Sequence, residues 1–562
     1  MPSTSRFAFR SIVEAAVVMK VLFAISMANM MVCETRVSSF APIAFVSSSA
    51  RRSSHSKSLS FLSAVNPEDS VAQGEELILE LDEDDYEEDT RTYEDFYEAF
   101  MKLQGAKKRR PDIGDQAQEV FDDMYEAYVM SDDPSLWPNT TIYNILLDTH
   151  AWSPAEDGGD KAQHILDRME DMTVETIARP DVVSYMHVME AWANRNAPEK
   201  AKSIMERLLK RFELTANLDV RPDTKAYNKL IGAWMKSNAV DNAEQAESVL
   251  KGMIDQYEAN GNLLVLPNQK SFVQVMRCYA KRQTLEGLEK VRELLDSMKR
   301  LYRLTGSKEI QPDTHVYNEL IDAIAQNKDI EGAAQQAESV LYEMMEATNM
   351  GNDALQPNAA TFRHIIYGYK GVTDPGAAYK VMKLLELTQN VGVGVNAGLY
   401  NAAIQVIAWT REPEKAVLCW KLLNRMKTEG IEPTKTSYNN VLSACGHTFE
   451  PRDPKEIFRI AIEAFNELRD AQYMGPDVTS YGHFLRCCSE LLPENAKRDL
   501  VVKNVFLKCC NDGQVGRFVL AQLIEAASEE MAEELLGAKP GDGIKIPRKW
   551  SQNIKDARQL LR

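Results

Sequence analysis

One phrase recurs down this 562-residue chain and limits what it can fold into more than any other feature. It is a proline, a small polar residue, three variable residues and an aromatic, as in PDTKAY from Pro222. Nine copies begin at Pro138, Pro180, Pro222, Pro267, Pro312, Pro357, Val395, Pro433 and Pro476, and Val395 is the one start without the proline. Their aromatics, always five residues on, are Tyr143, Tyr185, Tyr227, Phe272, Tyr317, Phe362, Tyr400, Tyr438 and Tyr481. Successive starts lie 42, 42, 45, 45, 45, 38, 38 and 43 residues apart. A period of roughly 20–50 residues marks an array of small units, none of which can bury its apolar face alone.

Within the copy at Pro222 the proline cannot continue a preceding helix, and Asp223 is a good cap for a following one. Tyr227, Leu230, Ile231 and Trp234 then fall at i, i+3, i+4 and i+7, on one helical face. About ten residues later Ala246, Val249, Leu250 and Met253 repeat that spacing in NAEQAESVLKGMI. Equivalent second helices run from DKAQHILDRM at Asp160 to IFRIAIEAFNEL at Ile457. A further one, DQAQEVFDDMYEAY from Asp115, precedes the first phrase and is expected in an incomplete capping repeat. Stacked pairs share a continuous core, so the fold class is all-α, an α-solenoid of helix-turn-helix repeats over residues 111–495. Residues 496–562 are expected to be capping helices and a basic tail.

The stretch AVLCWKLLNRMKTEGIEPTKTSYNNVLSACG, from Ala416 to Gly446, resembles the pentatricopeptide repeat family. That family's repeats end in Met-Lys-x-x-Gly-x-x-Pro-Asp and restart on a Thr-Tyr-Asn-like phrase. The resemblance covers roughly residues 110–500 and implies a right-handed solenoid. Tetratricopeptide repeats, the main competitor, keep a strict period of about 34 residues and a Trp, Gly, Tyr and Ala pattern that is absent here. These repeats are longer than the family's. Much of the excess follows the second helix, as in IDQYEANGNLLVL before Pro267, and reads as a longer connection that alters the superhelical rise.

In the family, the side chain directly after the aromatic and the residue after the closing proline together read one base of single-stranded RNA, and the residue two before the aromatic helps to sandwich it. Short amides and carboxylates suit a Watson–Crick edge. Carried over, the resemblance pairs Asn144 with Asp181, Asn228 with Asn268, Asn318 with Asn358, Asn401 with Thr434, and Asn439 with Asp477. Asn with Asp favours U and Asn with Asn favours C, so a pyrimidine-leaning RNA is implied. Met186, Val273, Arg363 and Gly482 break the pattern, and Met and Val, which cannot bond a base edge, are expected to act as spacers. Capping alone explains Asp or Asn after proline. It does not explain Asn after the aromatic in five of nine copies, since Asn is a poor helix-interior residue.

The formal charge of -18 argues against nucleic acid only until its distribution is read. Residues 66–100 hold 15 acidic residues and one Arg, residues 1–65 are net +5, and residues 101–562 carry only -9. Binding responds to local patches rather than to such an average. Residues 66–110 are expected to be an acidic disordered spacer.

From Met19, MKVLFAISMANMMVCETRV has the layout of a signal peptide. A Ser- and Arg-rich, acid-poor stretch follows, and Ser39-Phe40-Ala41-Pro42 resembles the junction of a bipartite plastid presequence. Residues 1–65 are therefore expected to address the chain to a plastid. The alternative is a mitochondrial presequence read from Met1.

Eight cysteines without any C-x-x-C spacing argue against a zinc module and read as reduced, buried thiols. No string fits a deaminase zinc site, a phosphate loop or a catalytic triad, so neither catalysis nor a cofactor is expected, and the mature form carries no membrane segment. Two functions remain: an organellar single-stranded RNA-binding protein acting in transcript processing, stability or translation, and a helical scaffold for protein partners.

Overall fold

The computed structural model describes residues 91–107, 110–131, 133–171, 178–327, 329–371, 376–448, 452–471, 474–537 and 546–554. The presequence expected at 1–65 and most of the acidic stretch lie outside the described residues.

Each copy of the phrase starts a helix, and in each the residue after the proline (or after Val395) caps it. Asn139, Asp181, Asp223, Asn268, Asp313, Asn358, Asn396, Thr434 and Asp477 all sit in extended backbone and accept the amide of the third helical residue. The cap satisfies one of the amides that a helix start leaves unpaired. The first helix of the third repeat spans Thr224–Lys236 and its second helix Asn242–Asn260. The same pairing runs through all nine repeats, ending with Val478–Leu491 and Ala496–Asn511.

Neighbouring first helices pack directly on one another, and each second helix packs chiefly on first helices. The first-helix layer is therefore the closely packed inner one, and the second helices form the outer layer. The core lies between them, where Tyr185, Phe272, Phe362, Tyr400 and Tyr481 are fully buried with Leu, Ile and Met from the second helices. The phrase thus returns because every repeat needs the same helix start and the same aromatic between its layers. Among the described residues no helix is long and apolar enough to cross a membrane. All seven described cysteines are buried and free, as expected for reduced thiols.

Three expectations need correction. The acidic spacer does not extend to residue 110: Tyr93–Ala106 is a helix with a capping box at Thr92, and it buries Phe96 and Phe100. It is the first helix of the capping repeat whose second helix is Ile113–Ser131, so that repeat is complete. The acidic residues face water while the two phenylalanines anchor the helix, which net charge alone conceals.

The extra length of the long repeats is not loose connection either. The second helix of the third repeat continues to Asn260, closes on Gly261 in left-handed backbone (φ 63°), and one turn of 3-10 helix, Leu263–Val265, returns Val265 to the core. Leu218–Val220, Lys308–Ile310 and Asp353–Leu355 do the same with Val220, Ile310 and Leu355, so the first-helix layer keeps its packing.

The basic end is not a free tail over residues 546–554. Trp550 accepts the Val515 amide through its carbonyl at 2.8 Å, its ring meets Phe506 edge-on, and the Asn553 amide donates to the Gly513 carbonyl.

Candidate nucleic-acid interface

The first-helix layer carries all ten residues singled out by the resemblance, and the fold joins them in five pairs. Asn144 donates from Nδ2 to Asp181 Oδ1 at 3.2 Å, Asn228 to Asn268 Oδ1 at 3.1 Å, and Asn318 to Asn358 Oδ1 at 3.4 Å. Asn401 donates to Thr434 Oγ1 at 3.0 Å and Asn439 to Asp477 Oδ1 at 3.3 Å. Partners 33 to 40 residues apart in the chain are thus adjacent wherever one first helix meets the next.

A third member was not read from the sequence. Ser184, Ser271, Ser437 and Ser480 donate from Oγ to the Oδ1 of Asn144, Asn228, Asn401 and Asn439 at 2.6–2.7 Å. Each serine is the third residue of the following first helix and also takes part in its capping box. The fifth junction has Thr361 there. Its hydroxyl bonds Asn358 instead, and Asn318 Oδ1 is buried without a partner.

Where the residue after the aromatic is Met186, Val273, Arg363 or Gly482, the corresponding position is Ala226, Val316, Leu399 or Val519. A hydroxyl appears opposite every Asn and an apolar residue opposite every other type. The signal was available in the sequence, as the residue just before each aromatic. Reading it required knowing that it faces the previous repeat.

These bonds also separate two duties of the cap. In Asp181, Oδ1 takes the Ser184 amide and hydroxyl, while Oδ2 has only a 3.4 Å contact with Asn144. In Asp477, Oδ1 is similarly filled, while Oδ2 accepts no hydrogen bond among the described residues and lies 3.9 Å from the Lys435 ammonium. In Asn268 and Asn358, Oδ1 serves the helix and Nδ2 donates to nothing among the described residues. One atom caps and the other remains as an acceptor in Asp or a donor in Asn.

Asn228, Asn318 and Asn439 are buried, whereas the caps Asp181, Asn268, Thr434 and Asp477 are half-exposed and Asn358 is exposed. In these three pairs the cap is therefore the more accessible member and the Asn orients it, whereas Asn144 and Asn401 are half-exposed like their caps. Gly482 is different: a Cβ there would lie 2.2 Å from the Phe518 ring, so that position is filled from the next helix.

Charge on this layer is local. The first helices Thr224–Lys236 and Gln269–Ala280 hold Lys225, Lys229, Lys236, Lys270 and Arg277 and no acidic residue, and Lys281 follows directly. Among the described residues, neutralisation comes only from neighbouring repeats. Glu190 accepts from Lys229 and Lys236 at 2.5 Å, and Arg277 reaches Glu319 at 2.5 Å. Burial pushes the Glu190 carboxyl up, but the two ammonium groups outweigh it and hold it below its ordinary range. Lys225 and Lys270, two residues before their aromatics, are exposed and have no carboxylate partner among the described residues.

Residues 383–448, which include Asn401, Thr434 and Asn439, match the pentatricopeptide repeat domain. Over these residues the chain is similar to the pentatricopeptide repeat family. It is 25% identical over 104 residues to a pentatricopeptide repeat-containing protein of Arabidopsis thaliana, a match spanning 18% of this chain and 17% of that protein. Among solved structures it is similar to the pentatricopeptide repeat protein PPR10 from maize, at 18% identity and a TM-score of 0.45, covering 78% of this chain and 56% of that one. It is also similar to PPR10 in complex with an 18-nt psaJ RNA element, at 16% identity and a TM-score of 0.39, covering 80% of this chain and 59% of that one. The chain thus spans less than two thirds of the length of these relatives. The repeats are all-α throughout the described residues, and no cluster of His, Cys, Asp and Glu among them could hold a metal ion.

Proposed function

We propose that this protein binds single-stranded RNA along its first-helix layer, acting in an organelle on transcript processing, stability or translation by occupying the strand. The observation that carries this is the set of five Asn–cap pairs, in each of which one cap atom serves the helix. The Oδ2 of Asp181 and Asp477, the oxygen that does not cap the helix, suits the N3–H of uracil, and the free Nδ2 of Asn268 and Asn358 suits the N3 of cytosine. Thr434 retains only a hydroxyl and discriminates less.

In the first seven repeats these pairs fall on the odd-numbered members and the spacers on the even, so pyrimidines are read at alternate repeats before the eighth adds one more. The exposed Lys225 and Lys270 supply strand affinity, because phosphate contacts dominate binding without specifying sequence. The presequence-like residues 1–65 favour a plastid as the site of action.

Crosslinking in the organelle, with sequencing of bound fragments, tests this. The expected outcome is an enriched footprint whose pyrimidines recur at every second position. Recovery of proteins without any enriched RNA would instead support the scaffold reading.

A further inference from the structure

The turn between the two helices of the seventh repeat holds a buried cation with no counter-charge among the described residues. Lys415 opens the helix Lys415–Thr428 and is 6% exposed. Its ammonium donates one hydrogen bond, to the Thr410 carbonyl at 3.1 Å, and burial holds its pKa below the ordinary lysine value.

The corresponding turn of the third repeat makes the same bond without charge: Asn242 donates from Nδ2 to the Ser237 carbonyl at 3.0 Å, across the same five-residue interval. Anchoring the turn therefore does not require an ammonium. A buried charge lacking a partner is costly, and such groups are ordinarily compensated by an opposite charge.

Lys415 lines a cavity of about 620 Å³ together with Trp409, Arg411, Ser443 and His447. Trp409 is 57% exposed at this cavity, with the His447 ring 6.0 Å away and tilted 31°, and Lys370 Nζ 5.8 Å from its ring centre. Glu412 also lines the cavity, but its carboxylate accepts the Gly376 amide at 2.8 Å. An exposed indole face beside a cation that lacks an anion matches a base and its phosphate. Trp409 follows Asn401 by eight residues, about 12 Å further along the same helical direction, so this place is distinct from the reading pair of its repeat.

We propose that this cavity binds one nucleotide of the RNA strand, with a phosphate on Lys415 and the base stacked on Trp409. The proposal rests on the RNA-binding reading above. A free mononucleotide carries the same chemistry, and tryptophan fluorescence separates the sources: quenching by poly(U) alone assigns the strand, and equal quenching by uridine monophosphate assigns the free nucleotide.

The test uses the full chain, poly(U) RNA and a salt titration of binding. Lys415→Gln keeps an amide donor for the Thr410 carbonyl and removes the charge. It is expected to reduce the slope of log affinity against log salt by about 0.7, the contribution of one single-strand phosphate, without lowering the melting temperature. Trp409→Ala is expected to weaken poly(U) binding roughly ten-fold. If the wild type binds poly(U) while both variants keep its slope and affinity, this proposal is overturned and the five reading pairs are untouched. A wild type that binds no RNA removes both readings.

Discussion

Asn228 donates from Nδ2 to Oδ1 of Asn268 at 3.1 Å, joining two residues 40 apart, and Ser271 turns its hydroxyl onto Asn228 Oδ1 at 2.6 Å. With both ends of the Asn228 amide engaged, Asn268 has its own Oδ1 held to the helix and its Nδ2 free. Removing the hydroxyl breaks this order. Ser271→Ala leaves a buried carbonyl oxygen without a donor, so stability should fall by about 1–3 kcal/mol in urea unfolding. RNA selection with the same variant should lose discrimination at one position and keep it elsewhere.

The second repeat offers the reverse experiment. Met186 occupies the Asn position and Ala226 the serine position of its junction, and Asp223 caps the next helix through Oδ1. Met186→Asn alone buries an amide oxygen with no donor and should destabilise. Combined with Ala226→Ser it should regain about 1–3 kcal/mol, measured by a double-mutant cycle, and add a preference for U at a position previously unread.

At the fifth junction the Thr361 hydroxyl bonds Asn358 and leaves Asn318 Oδ1 unsatisfied. Serine fills this place at the other four Asn junctions and lacks the methyl that restricts the threonine rotamer. Thr361→Ser should therefore raise stability by about 1 kcal/mol, seen as a higher urea midpoint with an unchanged slope.

Two buried histidines make stability depend on pH. Burial first, then nearby cations, push His150 down to about 4, and burial followed by the neighbouring His447 pushes His483 down to about 4. Both are neutral in the folded state, while the unfolded chain binds protons from 6.5 downward. Stability is therefore full above pH 6.5 and declines towards pH 4, by up to about 1.4 kcal/mol per pH unit for each group. Denaturant titrations across this window should become flatter for His150→Phe, which keeps a ring and cannot titrate.

The long second helices close on left-handed residues: Gly261 (φ 63°), Gly306 (φ 64°) and, in the second repeat, Ala216 (φ 50°). Glycine adopts that backbone freely and alanine does not. Ala216→Gly should stabilise by about 1 kcal/mol, and Gly261→Ala should destabilise by a similar amount, both read from thermal melts.

Much of the fold could be read before the structure because its determinants are local. Proline, the capping side chain and the aromatic lie within six residues of one another, and all nine helix starts fall where they predict. Tyr93–Ala106 escaped because its first turn carries Glu94 and Asp95, which helix N-termini favour, within a stretch whose composition suggested disorder. The long repeats conceal their length for a related reason: Gly261 marks a helix end, but the last turns before it, DQYEAN, are polar and show no apolar spacing.

The sequence by itself determined the repeat, the helix pairs and the positions of the ten pairing residues, because helix starts, caps and apolar spacing act within a few residues. Only the tertiary structure decided what holds those pairs in place. Contacts such as Asn439 with Ser480, or Gly482 with Phe518, cross from one repeat to the next. They depend on how two first helices are set side by side, which the packing of the whole stack imposes and no local pattern encodes. The same holds for Lys415, whose lack of a counter-charge among the described residues shows only once the turn around it has closed.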